Sequence, residues 1–174
     1  DHLQIRSVYQ LKEGTMTLNS WKKAGSLFGQ AMLGLEYALF QTGPLSMAPS
    51  QFGLFANSSV SGGTPDLQFH IQPLSLDDLS DPNSMHSFPG LTTSVCNLRP
   101  TSRGSITPSG PTTQDAPHID PNYLDTKHDQ TVAADSLRLA RSLVLSSKSF
   151  SAKYEPTEHF PGTHIESDED LAEA

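Results

Sequence analysis

The sequence predicts an α+β domain, a mostly antiparallel sheet of about five or six strands backed by helices. Three observations carry that prediction. Short segments such as DLQFHIQP alternate apolar and polar residues with a period of two, as half-buried strands do. Two longer segments place apolar residues at three- and four-residue steps, the period of a helix with one buried face. Thirteen prolines and 12 glycines in 174 residues break the chain into short elements joined by loops, with no internal repeat. The length suits a single domain with a modest core.

In chain order, HLQIRSVYQLK reads as a strand with Leu3, Ile5, Ser7, Tyr9 and Leu11 on one side. Glu13-Gly14-Thr15 turns the chain, and Asn19 or Ser20 is placed to cap a helix. From Trp21 the apolar stripe Ala24, Leu27, Phe28, Ala31, Leu35, Ala38 and Leu39 predicts an amphipathic helix ending at Gly43-Pro44. FGLFANSS is a short strand that leads into the flexible stretch SVSGGT. In the next strand Leu67, Phe69 and Ile71 face one way, and Gln68, His70 and Gln72 the other. LSLDDLSDPNSMHSFPG is an irregular connection, TTSVCNLRP and RGSIT are strands, and SGPTTQDAPHIDPNY is loop. Asp125 or Thr126 caps a second helix with the stripe Val132, Ala133, Leu137, Ala140 and Val144. SDEDLAEA starts a last helix, with Ser167 at its cap and Asp170 three residues on.

Charge and cysteine content exclude several functions. The net charge of −8 sits in the tail: seven acids and no Lys or Arg follow from Glu155, against twelve acids and eleven bases before it. A near-neutral body lacks the basic face that nucleic acid requires. No run of about 18 apolar residues is present, so no transmembrane segment is expected. The single Cys96 rules out an internal disulfide and a cysteine-rich zinc site, and suits a small buried residue in a strand.

Catalytic and metal motifs are equally sparse. There is no G-x-S-x-G elbow, and SVSGGT lacks the following helix that a phosphate loop needs. His159 and His164 lie five apart in a loop, and Asp77, Asp78 and Asp81 lack alternating ligands around them, so no metal site is expected. The polar strand face of Gln68, His70 and Gln72, with Met47 and Gln51 on the neighbouring loop, remains the one candidate. Phe55, on the strand after Gln51, is grouped with it. Plain solvent exposure of one sheet face explains the same pattern.

The segment NLRPTSRGSITPSG, followed by DAPHIDPNYLDTKHDQTVAADSLRLARSL, resembles the glucose–methanol–choline (GMC) family of FAD-dependent oxidoreductases. DHLQ resembles the end of that family's NLQDH segment, and TGPLS and PDLQFH follow in the family's order. The resemblance implies that residues 1–174 are the substrate-binding domain of a larger flavoenzyme. An FAD-binding domain and a catalytic-histidine segment of the form HPVGT would lie outside this chain. The absence of an initial Met agrees with an excised or processed piece.

On this resemblance the parent enzyme uses FAD, and its catalytic histidine takes the alcohol proton while hydride leaves the carbinol carbon. The fragment by itself is expected to be inactive and not to bind FAD, with no catalytic residue of its own; His164 is given no such role. Its partners are the missing FAD-binding domain and a small-molecule alcohol. A cytoplasmic location is expected, with peripheral membrane association left open. SQFGLF resembles the family stretch WEIGIF, whose glutamate meets the quaternary ammonium of choline, and Gln51 stands at that glutamate. An amide offers only dipoles where a carboxylate attracts a cation. The resemblance therefore implies a neutral primary alcohol, aliphatic or polyether, with Gln51, Met47, His70, Phe55 and Gln68 at the substrate. A choline dehydrogenase-type domain and a stand-alone binding or scaffold domain are the alternatives.

Overall fold

The computed structural model describes residues 3–22, 27–78, 80–81 and 84–173. Strands β1 (Gln4–Gln10), β2 (Phe52–Ala56), β3 (Leu67–Gln72), β4 (Gly90–Asn97) and β7 (Thr157–Phe160) form one antiparallel sheet in the order β2-β3-β4-β1-β7. Strands β5 (Ser105–Thr107) and β6 (His118–Asp120) pair as a separate two-stranded ribbon. The helices are α1 (Leu18–Lys22), α2 (Leu27–Phe40), α3 (Lys127–Leu145), α4 (Lys148–Tyr154) and α5 (Asp168–Glu173). The predicted α+β class is the observed one.

The long helix α3 covers one face of the sheet. Its buried residues Val132, Ala133, Leu137, Ala140 and Val144 are the predicted stripe. Val132 and Ala140 pack with Leu67 and Phe69 of β3 and Val95 of β4, while Val144 packs with Tyr9, Leu11 and Leu91. At the other end Ala134 and Leu137 meet Leu171 of α5. Thr126 caps α3 by accepting from Asp129 N–H at 3.2 Å, and Ser167 caps α5 by accepting from Asp170 N–H at 3.1 Å. Both caps were legible from side-chain oxygens placed before a helical stripe. Cys96 is a buried free cysteine of β4.

Four expectations are corrected. The stretch read as loop contains β6, and RGSIT pairs with it rather than joining the main sheet. The tail contains β7, so His159 lies on a strand and not in a loop. Asn19 does not cap a helix: its buried amide donates to Ser75 O (2.8 Å) and His86 O (3.1 Å) and accepts from Ser75 N–H (2.8 Å). It fastens the 73–89 connection to the body; Ser20 accepts from Thr17 N–H at 3.3 Å. The SVSGGT loop is held rather than loose. Ser58 bonds Asp66 through its N–H and hydroxyl, and Ser59 bonds Asp135 of α3 in the same way.

The predicted first long helix exists as α2, preceded by the short α1; Ala24 lies outside the described residues. Its apolar residues do not pack on the sheet. Phe28 is 75% exposed and Leu39 64%, and Met32, Leu35, Tyr37 and Phe40 are exposed as well. Glu36 is the one charged residue in LFGQAMLGLEYALF. A segment apolar on all sides has no polar face to turn outward, so the helical period alone could not assign a packing face.

Candidate functional site

The face of the sheet opposite α3 is polar and partly open. Because directly paired residues of a ladder point the same way, the register fixes who shares this face. One row runs Gly53, His70, Ser94 and Arg6 across β2, β3, β4 and β1. The next runs Phe55, Gln68, Cys96 and Gln4. A third brings Gln72 beside Thr92 and Val8.

Half of this face is roofed by the connection after β3. Thr92 Oγ1 donates to Leu74 O at 2.7 Å, and the Arg6 guanidinium donates to Leu76 O and Asp77 O, each at 3.0 Å. Arg6 also stacks over the Phe160 ring, 5.3 Å from its centroid. The β2–β3 side has no such cover. Phe55 is 60% exposed, and Gln68 and His70 are half-buried with no side-chain hydrogen bond among the described residues. A polar group at partial depth without a protein partner is available to a ligand.

Gln51 precedes β2, and its N–H donates to Ile71 O at 2.9 Å. Alternation puts it on the same side as Gly53 and Phe55. Its amide nitrogen donates to Ala48 O within the loop, leaving Oε1 unpaired among the described residues. Ser50 accepts from Gln72 Nε2 at 3.1 Å, which fixes the loop to β3. Met47 stands four residues before Gln51, after a single 3₁₀ turn at Pro44–Ser46, and is exposed. The structure therefore gathers Gln51, Phe55, Gln68 and His70 on one surface, with Met47 on the loop leading to it. No carboxylate lies in these three rows. Their one full charge is Arg6.

A half-open cleft of about 380 Å³ lies elsewhere. Leu3, Ile5, Ile106, Ile119, Tyr123 and Leu124 line it, between β1, the β5–β6 ribbon and the start of α3. Sequence reasoning missed it because Ile106 and Ile119 meet only once RGSIT and HID are paired. Asp129 holds its rim. The carboxylate accepts from Thr101 N–H (2.9 Å), Ser102 N–H (2.8 Å) and Asn97 Nδ2 (3.3 Å). Burial pushes that carboxyl up, but the hydrogen bonds from Ser102 and Thr101 outweigh it and hold the group below its ordinary value.

Among the described residues, no element fits the dinucleotide part of FAD. The main sheet is antiparallel throughout, so it contains no βαβ phosphate cradle. The first turn of α3, the longest helix, is already filled by Thr126 and Asp129. Among the described residues no three His, Cys, Asp or Glu side chains converge as metal ligands, and no helix is long and apolar enough to cross a membrane.

The sequence model described as GMC oxidoreductase matches residues 100–174. An oxygen-dependent choline dehydrogenase of Brucella ovis is 28% identical over 98% of this chain and 30% of its own length. An alcohol dehydrogenase [acceptor] of Pseudomonas putida is 31% identical over 85% of the chain and 26% of its own length. A mitochondrial choline dehydrogenase of Mus musculus is 29% identical over 98% of the chain and 27% of its own length. Among solved structures, a formate oxidase superposes on 99% of the chain with a TM-score of 0.80 at 15% identity, and covers 34% of that enzyme. A pyridoxine 4-oxidase superposes with a TM-score of 0.68 at 20% identity. The chain thus spans about 30% of the length of the curated relatives it matches. Residues 100–174 thus resemble the GMC oxidoreductases, and choline and alcohol dehydrogenases align along most of the chain.

Proposed function

We propose that this chain is the substrate-recognition part of an FAD-dependent alcohol dehydrogenase or oxidase, and that the substrate is a neutral primary alcohol. The observation that carries the reading is the open sheet face. It presents Gln68 and His70, with Ser94 buried in the same row; among the described residues of the three rows there is no carboxylate, and Arg6 is the one full charge. A quaternary ammonium would find no counter-ion there, whereas a hydroxyl or ether oxygen finds uncharged donors and acceptors. Phe55 and Met47 supply apolar contact for the chain of the alcohol; an unbranched thioether adapts to varied shapes.

In this reading the cofactor is held by the remainder of the protein. A flavin in the full-length protein would supply the hydride acceptor. This chain positions the alcohol through hydrogen bonds from Gln68 and His70 on the open β2–β3 side. The alcohol proton goes to a base outside residues 1–174.

Choline dehydrogenases at 28–29% identity favour a second reading, in which choline binds the same face. One substitution separates the two. Gln51→Glu removes the amide donor to Ala48 O and sets a carboxylate against that carbonyl, which turns the side chain outward. In the full-length protein the kcat/KM ratio of choline to a neutral primary alcohol is expected to rise about tenfold, the worth of one partly screened charge pair. An unchanged ratio removes the role given to Gln51. A wild-type protein that already prefers choline establishes the second reading.

A further inference from the structure

Two glycines lie in strands, and they are there for different reasons. Gly90 in β4 has a steric one: a Cβ at that position would sit 1.9 Å from Ser75 Oγ. Gly53 in β2 has none. A Cβ there would meet only Phe69 O, at 3.8 Å, an ordinary contact, and its φ lies outside the left-handed region. The β2–β3 register runs unbroken from Phe52 to Ala56, so the glycine marks no bulge. Glycine in a strand interior loses backbone entropy and packs nothing, so this position forgoes stability for another purpose.

The register indicates the purpose. Gly53 pairs directly with His70, and Ser94 is the next residue in that row. Gln51 and Phe55 flank Gly53 along the strand on the same face. The missing side chain leaves a gap in the row beside His70, between Gln51 and Phe55 along the strand. Ser94, next across the row beyond His70, is buried and makes no side-chain hydrogen bond among the described residues. We propose that Gly53 is a specificity-determining position, and that the gap it leaves beside His70 admits the carbon chain of the alcohol. The inference rests on the proposed function and adds to it a size limit set by one residue. A β-branched side chain at 53 would fill the space between Gln51 and Phe55 and close the passage, while a methyl group would narrow it.

The test compares wild type, Gly53→Ala and Gly53→Val in the full-length protein, with ethanol and decanol as substrates. The expected result is a fall of about 10- to 100-fold in the decanol-to-ethanol kcat/KM ratio for Gly53→Val, with a smaller fall for Gly53→Ala. Melting temperature is expected to stay level or rise in both variants, because the fold has room for the added carbons. An unchanged ratio overturns the proposal. Lowered melting temperature together with loss of both activities also overturns it, because the gap would then hold protein backbone. A wild-type protein that oxidises neither alcohol is a different failure: it refutes the proposed function itself, and the inference with it.

Discussion

Glu158→Ala is expected to lower stability by about 3–5 kcal/mol, the cost of leaving one member of a buried ion pair alone. The Glu158 side chain is fully buried and that of Arg141 is 16% exposed. The pair is bidentate, with Arg141 Nε and Nη2 each 2.8 Å from a carboxylate oxygen. Arg141 also donates to Ile165 O at 2.7 Å and Gly162 O at 2.9 Å. The hydrogen bonds from Arg141 to Glu158 push the guanidinium up from its ordinary value, so it stays charged at any working pH. Alanine removes the counter-charge and leaves that cation beside Tyr9, whose phenol burial pushes up to about 12. A neutral phenol cannot compensate it. Because Glu158 lies on the edge strand β7 and Arg141 on α3, the loss should appear first as release of the strand. Urea unfolding of Glu158→Ala against wild type measures the cost. The double variant Glu158→Leu/Arg141→Met should recover most of it, since paired apolar replacements are often tolerated. A single variant as stable as wild type would contradict this account of the edge.

Asp129→Ala is expected to cost about 2–3 kcal/mol and to alter the acid limb of stability. The carboxylate organises residues 97–102 through two main-chain N–H groups, and alanine leaves these with no acceptor. It also removes an acidic group from the first turn of α3, where the helix dipole favours negative charge. The pH dependence follows from the lowered pKa of Asp129. A carboxyl held below its unfolded value of about 4 contributes fully above that value, and its contribution is lost as pH falls through the folded value. Wild type should therefore lose stability across that acid window by more than Asp129→Ala does. Urea midpoints measured at neutral pH and through the acid range test this, and parallel pH profiles for the two proteins would refute it.

What the sequence made legible divides along physical lines. The β3 alternation and the α3 stripe were readable because each element buries one face, and burial of a single face writes its period into the chain. Strand β7 was not, because its inward residue is Glu158, and a charge neutralised from another element looks like a surface residue. The exposure of α2 was hidden for the opposite reason: LFGQAMLGLEYALF carries the helical period whether or not anything covers it. The polar face of Gln68 and His70 was visible along one strand. Its extension through Ser94, Cys96 and Arg6 needed the register of four strands. Thr126 and Asp129, three apart, form a readable cap, yet the reach of Asp129 to Thr101 and Ser102 spans a contact that no local pattern encodes.

If this chain selects a neutral alcohol for a flavin held by the rest of the protein, as proposed, the alcohol alone should reduce that flavin. The direct measurement is anaerobic titration of the purified full-length protein with a neutral primary alcohol while flavin absorbance is followed. The account predicts bleaching by the alcohol at concentrations where choline leaves the spectrum oxidised. Bleaching by choline alone, or a full-length protein that carries no flavin, would contradict it.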